Sequence, residues 1–281
     1  MNSEIRITIL VENSVNTRGL QAEHGLAFHI QTERHQLLFD TGQSELLAQN
    51  ARALRLDLRA VEAVILSHGH YDHTGGLKAV NELAPRARFY LHPAALSPKF
   101  AGQPDGTSRP AGMGEENVKV VRDAAQTVTW TQSSTQVVDG IFVTGEIPRQ
   151  NNFEDTGGRF FLDEACSQPD PLVDDQALFF DTREGLVVVL GCGHAGVVNT
   201  LEHVQRITGN RPIRAVIGGL HLLNANEERM NKTLEAFRRW NIQQIVPGHC
   251  TGMAAVTQLW TAFPGRCASC ATGTSLIFSN G

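Results

Sequence analysis

The sequence predicts an α/β fold in which two similar halves pack sheet on sheet with helices outside. Short apolar runs bounded by turn residues alternate with helix-like stretches along the chain. The order of strands first and βα units afterwards occurs twice. The 281 residues, 41% hydrophobic and 19% charged, have an ordinary globular composition. We therefore expect a single domain over residues 1–281, with pseudo-halves at about 1–145 and 175–281.

In the first half, strand-length apolar runs precede the helical stretches. The pattern predicts strands at 5–11, 26–30, 36–39, 61–66, 88–91 and 137–144, and helices at 44–54 and 75–83. The run at 61–66 is continuously apolar, which is typical of a central, buried strand. Residues 97–116 are rich in Pro, Gly and Ser and predict a long surface loop or lid.

The second half repeats the alternation after another irregular stretch at 150–174. Its pattern predicts a hairpin of strands at 177–181 and 186–190, further strands at 213–217, 242–246 and 275–278, and helices at 196–207, 227–240 and 253–263. Long irregular stretches inside a compact domain are usually functional or mobile.

Charge and composition limit the classes of partner. The formal net charge of -5 gives no basic footprint for nucleic acid or for a membrane surface. The N-terminal residues lack a secretory pattern, and no run of 18 or more apolar residues occurs. Five cysteines, an odd number, favour free thiols in a reducing compartment. We expect a cytoplasmic protein with an anionic small-molecule substrate. The sequence leaves open whether the protein forms a homo-oligomer.

Four potential metal ligands lie within six residues: His68, His70, Asp72 and His73. Two histidines separated by one residue on an extended segment point the same way, so both can reach one ion at about 2.0–2.2 Å. Asp72 and His73 follow where the chain turns into a helix, and can reach a second ion about 3.5–4 Å from the first. Because the cluster ends a buried strand, we interpret it as a metal site rather than as surface histidines.

Three further histidines repeat this context. His194, His221 and His249 each follow an apolar strand and a glycine-bearing turn. One such histidine alone would more often be structural, but three in the same context favour a shared site at the strand ends. The five other histidines lack this context and are interpreted as structural or surface residues: His24, His29, His35, His92 and His203.

These residues resemble the motifs of the metallo-β-lactamase superfamily. The resemblance rests on Phe39-Asp40-Thr41-Gly42, Ser67-His68-Gly69-His70-Tyr71-Asp72-His73 and Pro247-Gly248-His249. It implies an αββα sandwich of two mixed sheets packed face to face, with the metal site at the edge between them. It also implies that Asp40 orients the metal-binding histidines without ligating the metal.

A narrower resemblance is to one branch of this superfamily. That branch contains an enzyme that makes 7,8-dihydropterin-6-methyl-4-(β-D-ribofuranosyl)aminobenzene 5′-phosphate, together with bacterial metal-dependent hydrolases. The strings that carry this resemblance are Leu10-Val11-Glu12-Asn13, Glu23-His24-Gly25-Leu26, Gly145-Glu146-Ile147-Pro148-Arg149, Gly191-Cys192-Gly193-His194, Gly218-Gly219-Leu220-His221 and His249-Cys250-Thr251-Gly252.

The ligand set implied by the resemblance is His68, His70, Asp72, His73, His194 and His249. The superfamily usually has an Asp that bridges the two metals, but the turn 191–194 contains none. Cys192, His194 or His221 could stand in that position. One or two divalent ions are therefore expected, with zinc favoured over iron or manganese.

Two activities are compatible with these residues. The first is a metal-dependent hydrolase on a phosphate-bearing or phosphodiester substrate, in which Asp72 holds the second metal and orients its water, whose pKa falls to about 7. The second is a transferase that joins a pterin methyl group to a ribofuranosyl-aminobenzene phosphate. A redox iron protein and a non-catalytic binder are weaker alternatives.

Candidate substrate contacts are fewer. Arg149 and Arg109 are possible anion anchors, although a solvated charge explains each equally well, and His221 is a ligand or a substrate contact. Cys267 and Cys270 form a CxxC without a second pair, and we interpret them as two free thiols.

Overall fold

The computed structural model describes residues 4–279, in which two mixed β-sheets pack face to face. The first sheet has seven strands: β1 (Glu4–Val11), β2 (Ala27–Gln31), β3 (Gln36–Phe39), β4 (Ala63–Ile65), β5 (Arg88–Leu91), β8 (Val128–Trp130) and β16 (Ser275–Ser279). Their order across the sheet is β16-β1-β2-β3-β4-β5-β8. The pairs from β16 to β3 are antiparallel and those from β3 to β8 are parallel.

The second sheet has six strands with the same division. It contains β9 (Thr135–Val138), β10 (Ile141–Val143), β12 (Ala177–Thr182), β13 (Gly185–Leu190), β14 (Ile213–Gly219) and β15 (Gln244–Gly248), in the order β15-β14-β13-β12-β10-β9. Strands β13, β14 and β15 run parallel, and the remaining pairs are antiparallel. Each sheet therefore has several parallel strands whose carboxyl ends lie on one edge.

Helices cover the outer face of each sheet. They are α1 (Leu46–Ala53), α2 (Tyr71–Thr74), α3 (Leu77–Leu83), α4 (Glu115–Asp123), α5 (Val197–Ile207), α6 (Glu227–Arg239) and α7 (Met253–Ala262). One buried cluster joins the first sheet to α1, α3 and α4, and another joins the second sheet to α5, α6 and α7. The predicted fold of sheets inside and helices outside is confirmed.

The central core lies between the two sheets and draws on both pseudo-halves. Alternate residues of β1, namely Ile5, Ile7 and Ile9, pack there with residues from the second sheet such as Phe180 and Val189. Both faces of β13 are covered, one by the other sheet and one by helices, so all six of its residues are buried. This explains the continuous apolar run in the sequence, because a strand covered on both faces exposes no side chain to water.

Three predicted elements were wrong in detail. The predicted strand 137–144 is the hairpin of β9 and β10, because Gly140 adopts a positive φ of 78° and turns the chain after Asp139. The predicted loop 97–116 contains β6 (Phe100–Gly102), β7 (Ser108–Pro110) and the start of α4. A two-residue strand from the other irregular stretch, β11 (Phe160–Phe161), completes a small sheet in the order β11-β6-β7. Strand β8 and helix α4 were not predicted from the sequence. Within residues 4–279, no helix is both long enough and apolar enough to cross a membrane.

Candidate metal centre

The candidate ligands lie where parallel strands end. Asp40 follows β3, and the segment from Ser67 to His70 follows β4. In the second sheet, Cys192 and His194 follow β13, whereas His221 follows β14 and His249 comes directly after β15. The carboxyl ends of parallel strands meet at one edge of a sheet. Since the two sheets face each other, their edges bring both sets of residues together.

A first group of three imidazoles is buried at this edge. His70 Nδ1 lies 3.0 Å from His68 Nε2 and 3.2 Å from His194 Nε2. Burial, with neighbouring imidazoles, keeps the pKa of His68 and His194 well below the usual range, and burial lowers the pKa of His70 to about 4. The three rings are therefore neutral at pH 7, which is the state that ligates a metal.

The hydrogen bonds of the outward-facing ring nitrogens determine which tautomer His68 and His194 adopt. His194 Nδ1 lies 2.8 Å from the carbonyl oxygen of Thr156, which can only accept, so Nδ1 carries the proton. His68 Nδ1 lies 2.9 Å from Ser67 Oγ, whose own proton is donated to Asp40. The inward Nε2 atoms of both rings consequently carry lone pairs. Three convergent imidazole nitrogens form a donor set that suits an ion such as Zn²⁺.

A second group lies beside the first and includes a carboxylate. His249 Nε2 is 3.1 Å from His73 Nε2 and 3.3 Å from Asp72 Oδ2. The outer nitrogens are again engaged, His73 Nδ1 with Asp40 Oδ2 at 2.7 Å and His249 Nδ1 with Asn13 Oδ1 at 3.0 Å. Although burial opposes it, the hydrogen bond to Asp72 raises the pKa of His249 to about 9. This position therefore favours a positive charge, whether a proton or a metal ion.

Asp40 holds both groups in place. Its Oδ1 accepts the backbone N–H of Ser67 and its Oδ2 accepts the Ser67 hydroxyl and His73 Nδ1–H, all at 2.7 Å. Asp40 is fully buried and has a positive φ of 62°, an uncommon conformation for a residue with a side chain. The geometry fits the predicted orienting role. Gly191 is required here, because a Cβ at that position would lie 2.0 Å from Ser67 Oγ.

Cys192 lies between the two groups. Its Sγ is 3.2 Å from His73 Nε2. The donor atoms of His68, Cys192 and His194 all lie within 4.8 Å of one another, and so do those of His73, Cys192 and His249. Of the three residues that the sequence left open for the bridging position, Cys192 is therefore the one that belongs to both groups. Burial raises the pKa of its thiol, but a coordinated thiol loses its proton.

His221 is close to the centre but belongs to neither group. Its ring lies 4.2 Å from that of His194 between centroids, and it lines the adjoining cavity. Neither ring nitrogen has a hydrogen-bond partner among the described residues. Burial lowers the pKa of His221 to about 3, so the ring is neutral and offers one N–H and one lone pair. This arrangement fits a substrate contact better than a ligand.

Two residues lie where the sequence did not predict them. His24, interpreted as structural or surface, has its Nε2 3.2 Å from Asp72 Oδ2 and forms a third potential ligand group with Asp72 and His249. Because His24 follows no strand, the strand-end pattern could not identify it. Its place in the string 23–26, which carries the narrower resemblance, was the signal that could have done so. Arg149 does not line the cavity, and its guanidinium donates to the carbonyl oxygens of Pro171 and His194. Arg149 therefore holds the backbone of His194 and does not occupy the position predicted for an anion anchor.

A buried ion network supports the first motif and was missed in the sequence. Lys99 Nζ lies 2.9 Å from both Asp170 Oδ2 and Asp174 Oδ1. The other oxygen of Asp174 accepts the backbone N–H of Gly69, between the candidate ligands His68 and His70, at 2.8 Å. The partners are about 70 and 75 positions from Lys99 in the chain, and no local pattern predicts such a pairing.

The two ligand groups open into a cavity of about 1320 Å³. The buried residues His70, Asp72, Cys192, His194 and His249 line its floor, and His24 and His221 line it beside them. The walls come from the small sheet, the loop after β14 and α7. A cavity of this size, with ligand groups at the bottom, can admit a small organic molecule.

Three comparisons with known proteins agree with this geometry. The family model described as the metallo-beta-lactamase superfamily matches residues 21–204. The chain is 31% identical over 253 residues to a 7,8-dihydropterin-6-methyl-4-(beta-D-ribofuranosyl)-aminobenzene-5'-phosphate synthase of Methanocaldococcus jannaschii, covering 86% of this chain and 85% of the relative. Among solved structures, it resembles Tm1679, described as a metal-dependent hydrolase of the beta-lactamase superfamily, with a TM-score of 0.82 and 32% identity, over 98% of this chain and 100% of that one.

Proposed function

Because the chain belongs to the metallo-β-lactamase superfamily, we propose that it is a metal-dependent hydrolase of a small molecule that carries a phosphate group. The observation that carries this proposal is the pair of ligand groups, joined by Cys192, at the floor of one cavity. Two divalent ions, when bound, supply a water nucleophile that is active at neutral pH and polarise the phosphoryl oxygen.

The residues of this chain would hold the ions and position the reaction. His68, His70 and His194 would hold one ion, and Asp72, His73 and His249 the other, with Cys192 between them. Asp40, Asn13 and the carbonyl of Thr156 accept the outer N–H groups and keep these rings in the ligating tautomer.

His221 would contact the substrate rather than the metal. It lies beside the first group, its nitrogens are unpartnered among the described residues, and it faces the cavity. A neutral imidazole there can donate one hydrogen bond to a substrate oxygen. We favour zinc, with iron or manganese as alternatives, because histidine, carboxylate and thiolate together suit Zn²⁺. We also propose that the protein is cytoplasmic.

A transferase of the pterin-biosynthesis type is the second candidate. The observation in its favour is the 31% identity to the named synthase over most of both chains. The same metal centre can serve either reaction, since a fold and its metal do not fix the chemistry. A cavity of about 1320 Å³ also exceeds the roughly 300–1,000 Å³ usual for one ligand, which leaves room for two substrates.

The test is to screen the metal-loaded protein against phosphate monoesters, phosphodiesters and a dihydropterin diphosphate with an aminobenzene acceptor. We expect hydrolysis of a phosphate ester that needs no acceptor. The matched control is the double variant His68→Ala with His70→Ala, which should lose metal by elemental analysis and lose turnover, because two ligands of one ion are removed.

Two results would decide against this proposal. Coupling of the pterin to the acceptor, without hydrolysis of any ester, would identify the second candidate instead. Full metal content and unchanged turnover in the double variant would show that the reaction does not use this centre.

A further inference from the structure

We propose that the substrate has two recognised parts, an anionic group bound by Arg109 and a planar apolar ring that packs on one face of α7. This inference rests on the proposed function, because it takes the metal centre as the place of reaction between the two parts. It concerns residues outside both ligand groups.

The register of the small sheet places Arg109 on the face toward the metal centre. Phe160 is paired with Ala101 across β11 and β6, and Ala101 is paired with Arg109 across β6 and β7. Directly opposed residues in neighbouring strands point to the same face of a sheet. The ring of Phe160 lies 4.8 Å from that of His70 and 5.2 Å from that of His194, so this face looks onto the ligands.

The Arg109 guanidinium is free to bind an anion. It has no hydrogen-bond or ion-pair partner among the described residues, and it lies over the ring of Tyr71, 5.7 Å from the centroid. Tyr71 directly precedes the ligand Asp72, and Arg109, Tyr71 and Asp72 all line the cavity. An unpaired guanidinium can bind a phosphate with two parallel hydrogen bonds.

A second wall of the cavity is apolar and exposed. Met253, Val256 and Trp260 are spaced three and four residues apart on α7 and therefore share one face, which lines the cavity. Met253 is 77% exposed and Trp260 is 48% exposed, and nearby Leu223 is 62% exposed. The opposite face of α7, with Ala255 and Leu259, is buried in the core. Contiguous exposed apolar patches mark interaction sites, ligand-binding grooves among them.

Together these walls define the chemical class of the substrate. The cavity is lined by the arginines Arg109 and Arg159, by an indole and a thioether on another wall, and by the ligand groups on its floor. Trp and Met side chains favour flat, polarisable rings. The combination fits an aromatic or heteroaromatic compound that carries a phosphate, and it disfavours simple sugar phosphates, which lack an apolar face of that kind.

The test measures binding of three probes to the metal-loaded protein by calorimetry: 1-naphthylmethylphosphonate, methylphosphonate and 1-naphthalenemethanol. Phosphonates resist hydrolysis, so affinity is read without turnover. Arg109→Gln should weaken both phosphonates about tenfold or more and leave the alcohol unchanged. Trp260→Ala should weaken both naphthyl compounds about tenfold and leave methylphosphonate unchanged.

Matched variants control for general effects. Arg122→Gln removes an exposed arginine of α4 that does not line the cavity, and Trp130→Ala removes a tryptophan that is 46% exposed on β8, comparable to Trp260. Neither should change any affinity. Metal content and circular dichroism of every variant check that the fold is retained.

The inference is overturned if Arg109→Gln binds methylphosphonate as tightly as the unmodified protein, or if Trp260→Ala loses no affinity for the naphthyl probes. Failure of the proposed function has a different signature: the probes would bind in the expected pattern, but no phosphate ester would be hydrolysed.

Discussion

At the scale of single residues, Cys192 would set the character of the metal centre that we propose. It lies where the two ligand groups meet, and its sulfur belongs to both. A thiolate is a softer donor than a carboxylate and favours Zn²⁺ over Mg²⁺ or Ca²⁺. A cysteine in this position therefore changes which ions the same histidines can retain.

The prediction for this residue compares Cys192→Ala with Cys192→Asp. The alanine variant should retain less than two ions after dialysis, because the shared ligand is lost, while the aspartate variant should retain both. In the cobalt-loaded protein, the sulfur-to-cobalt charge-transfer band should be present in the unmodified chain and absent from both variants. A band that survives in Cys192→Ala would show that the sulfur ligand is another cysteine.

At the scale of elements, the small sheet is tied to the metal motif through one buried lysine. Lys99 immediately precedes β6, and its carbonyl oxygen accepts the backbone N–H groups of Ala111 and Gly112. Its ammonium group joins Asp174, which in turn holds the backbone of Gly69 between two ligands. The wall that carries Arg109 is thereby connected to the ligands by buried ionic contacts.

We predict that Lys99→Met lowers the free energy of unfolding by about 3–5 kcal/mol, because two buried carboxylates lose their counter-ion. The control is Lys119→Met, which removes an exposed pair with Asp123 on α4 and should cost less than about 1 kcal/mol. Urea unfolding of both variants at pH 7 makes the comparison. A loss in Lys99→Met no larger than the loss in Lys119→Met would contradict the ionic explanation.

At the scale of the whole molecule, closing two sheets over each other buries a set of imidazoles together. Burial lowers the pKa of His68, His194, His70 and His221, the last two to about 4 and about 3. His249 differs, because its hydrogen bond to Asp72 outweighs burial and raises its pKa to about 9. The metal-free protein should therefore be sensitive to pH in both directions.

The direction of each change in stability with pH depends on whether the folded or the unfolded chain binds the proton more tightly. Below about pH 6.5 the unfolded chain binds protons at these four imidazoles before the folded chain does, so the stability of the folded state falls as the pH falls. Above about pH 6.5 the raised pKa of His249 means that its contribution is lost progressively up to about 9. Urea unfolding of metal-free protein between pH 4 and 9 should give maximal stability near 6.5. A flat profile between pH 4 and 6.5 would contradict it.

Most of the fold could be predicted from the sequence, since strand and helix periods are local properties. The long, strongly apolar strands and most of the longer helices were placed to within a few residues, as for 186–190 and β13, or 227–240 and α6. Apart from α4 and the hairpin of β9 and β10, which was predicted as one strand, the errors fall on β6, β7, β8 and β11, which have two or three residues each. Such short strands have too few residues to show a period, and only pairing with distant segments makes them strands.

The sequence by itself determined the αββα architecture and the cluster from His68 to His73, because adjacent ligands at the end of a buried strand are a local pattern. It could not decide which of Cys192, His194 and His221 lies between the two ligand groups. That choice depends on how two sheets from opposite halves of the chain meet, and on side-chain directions across that edge. Only the tertiary structure places Cys192 there, brings His24 to Asp72 and turns Arg149 away from the cavity.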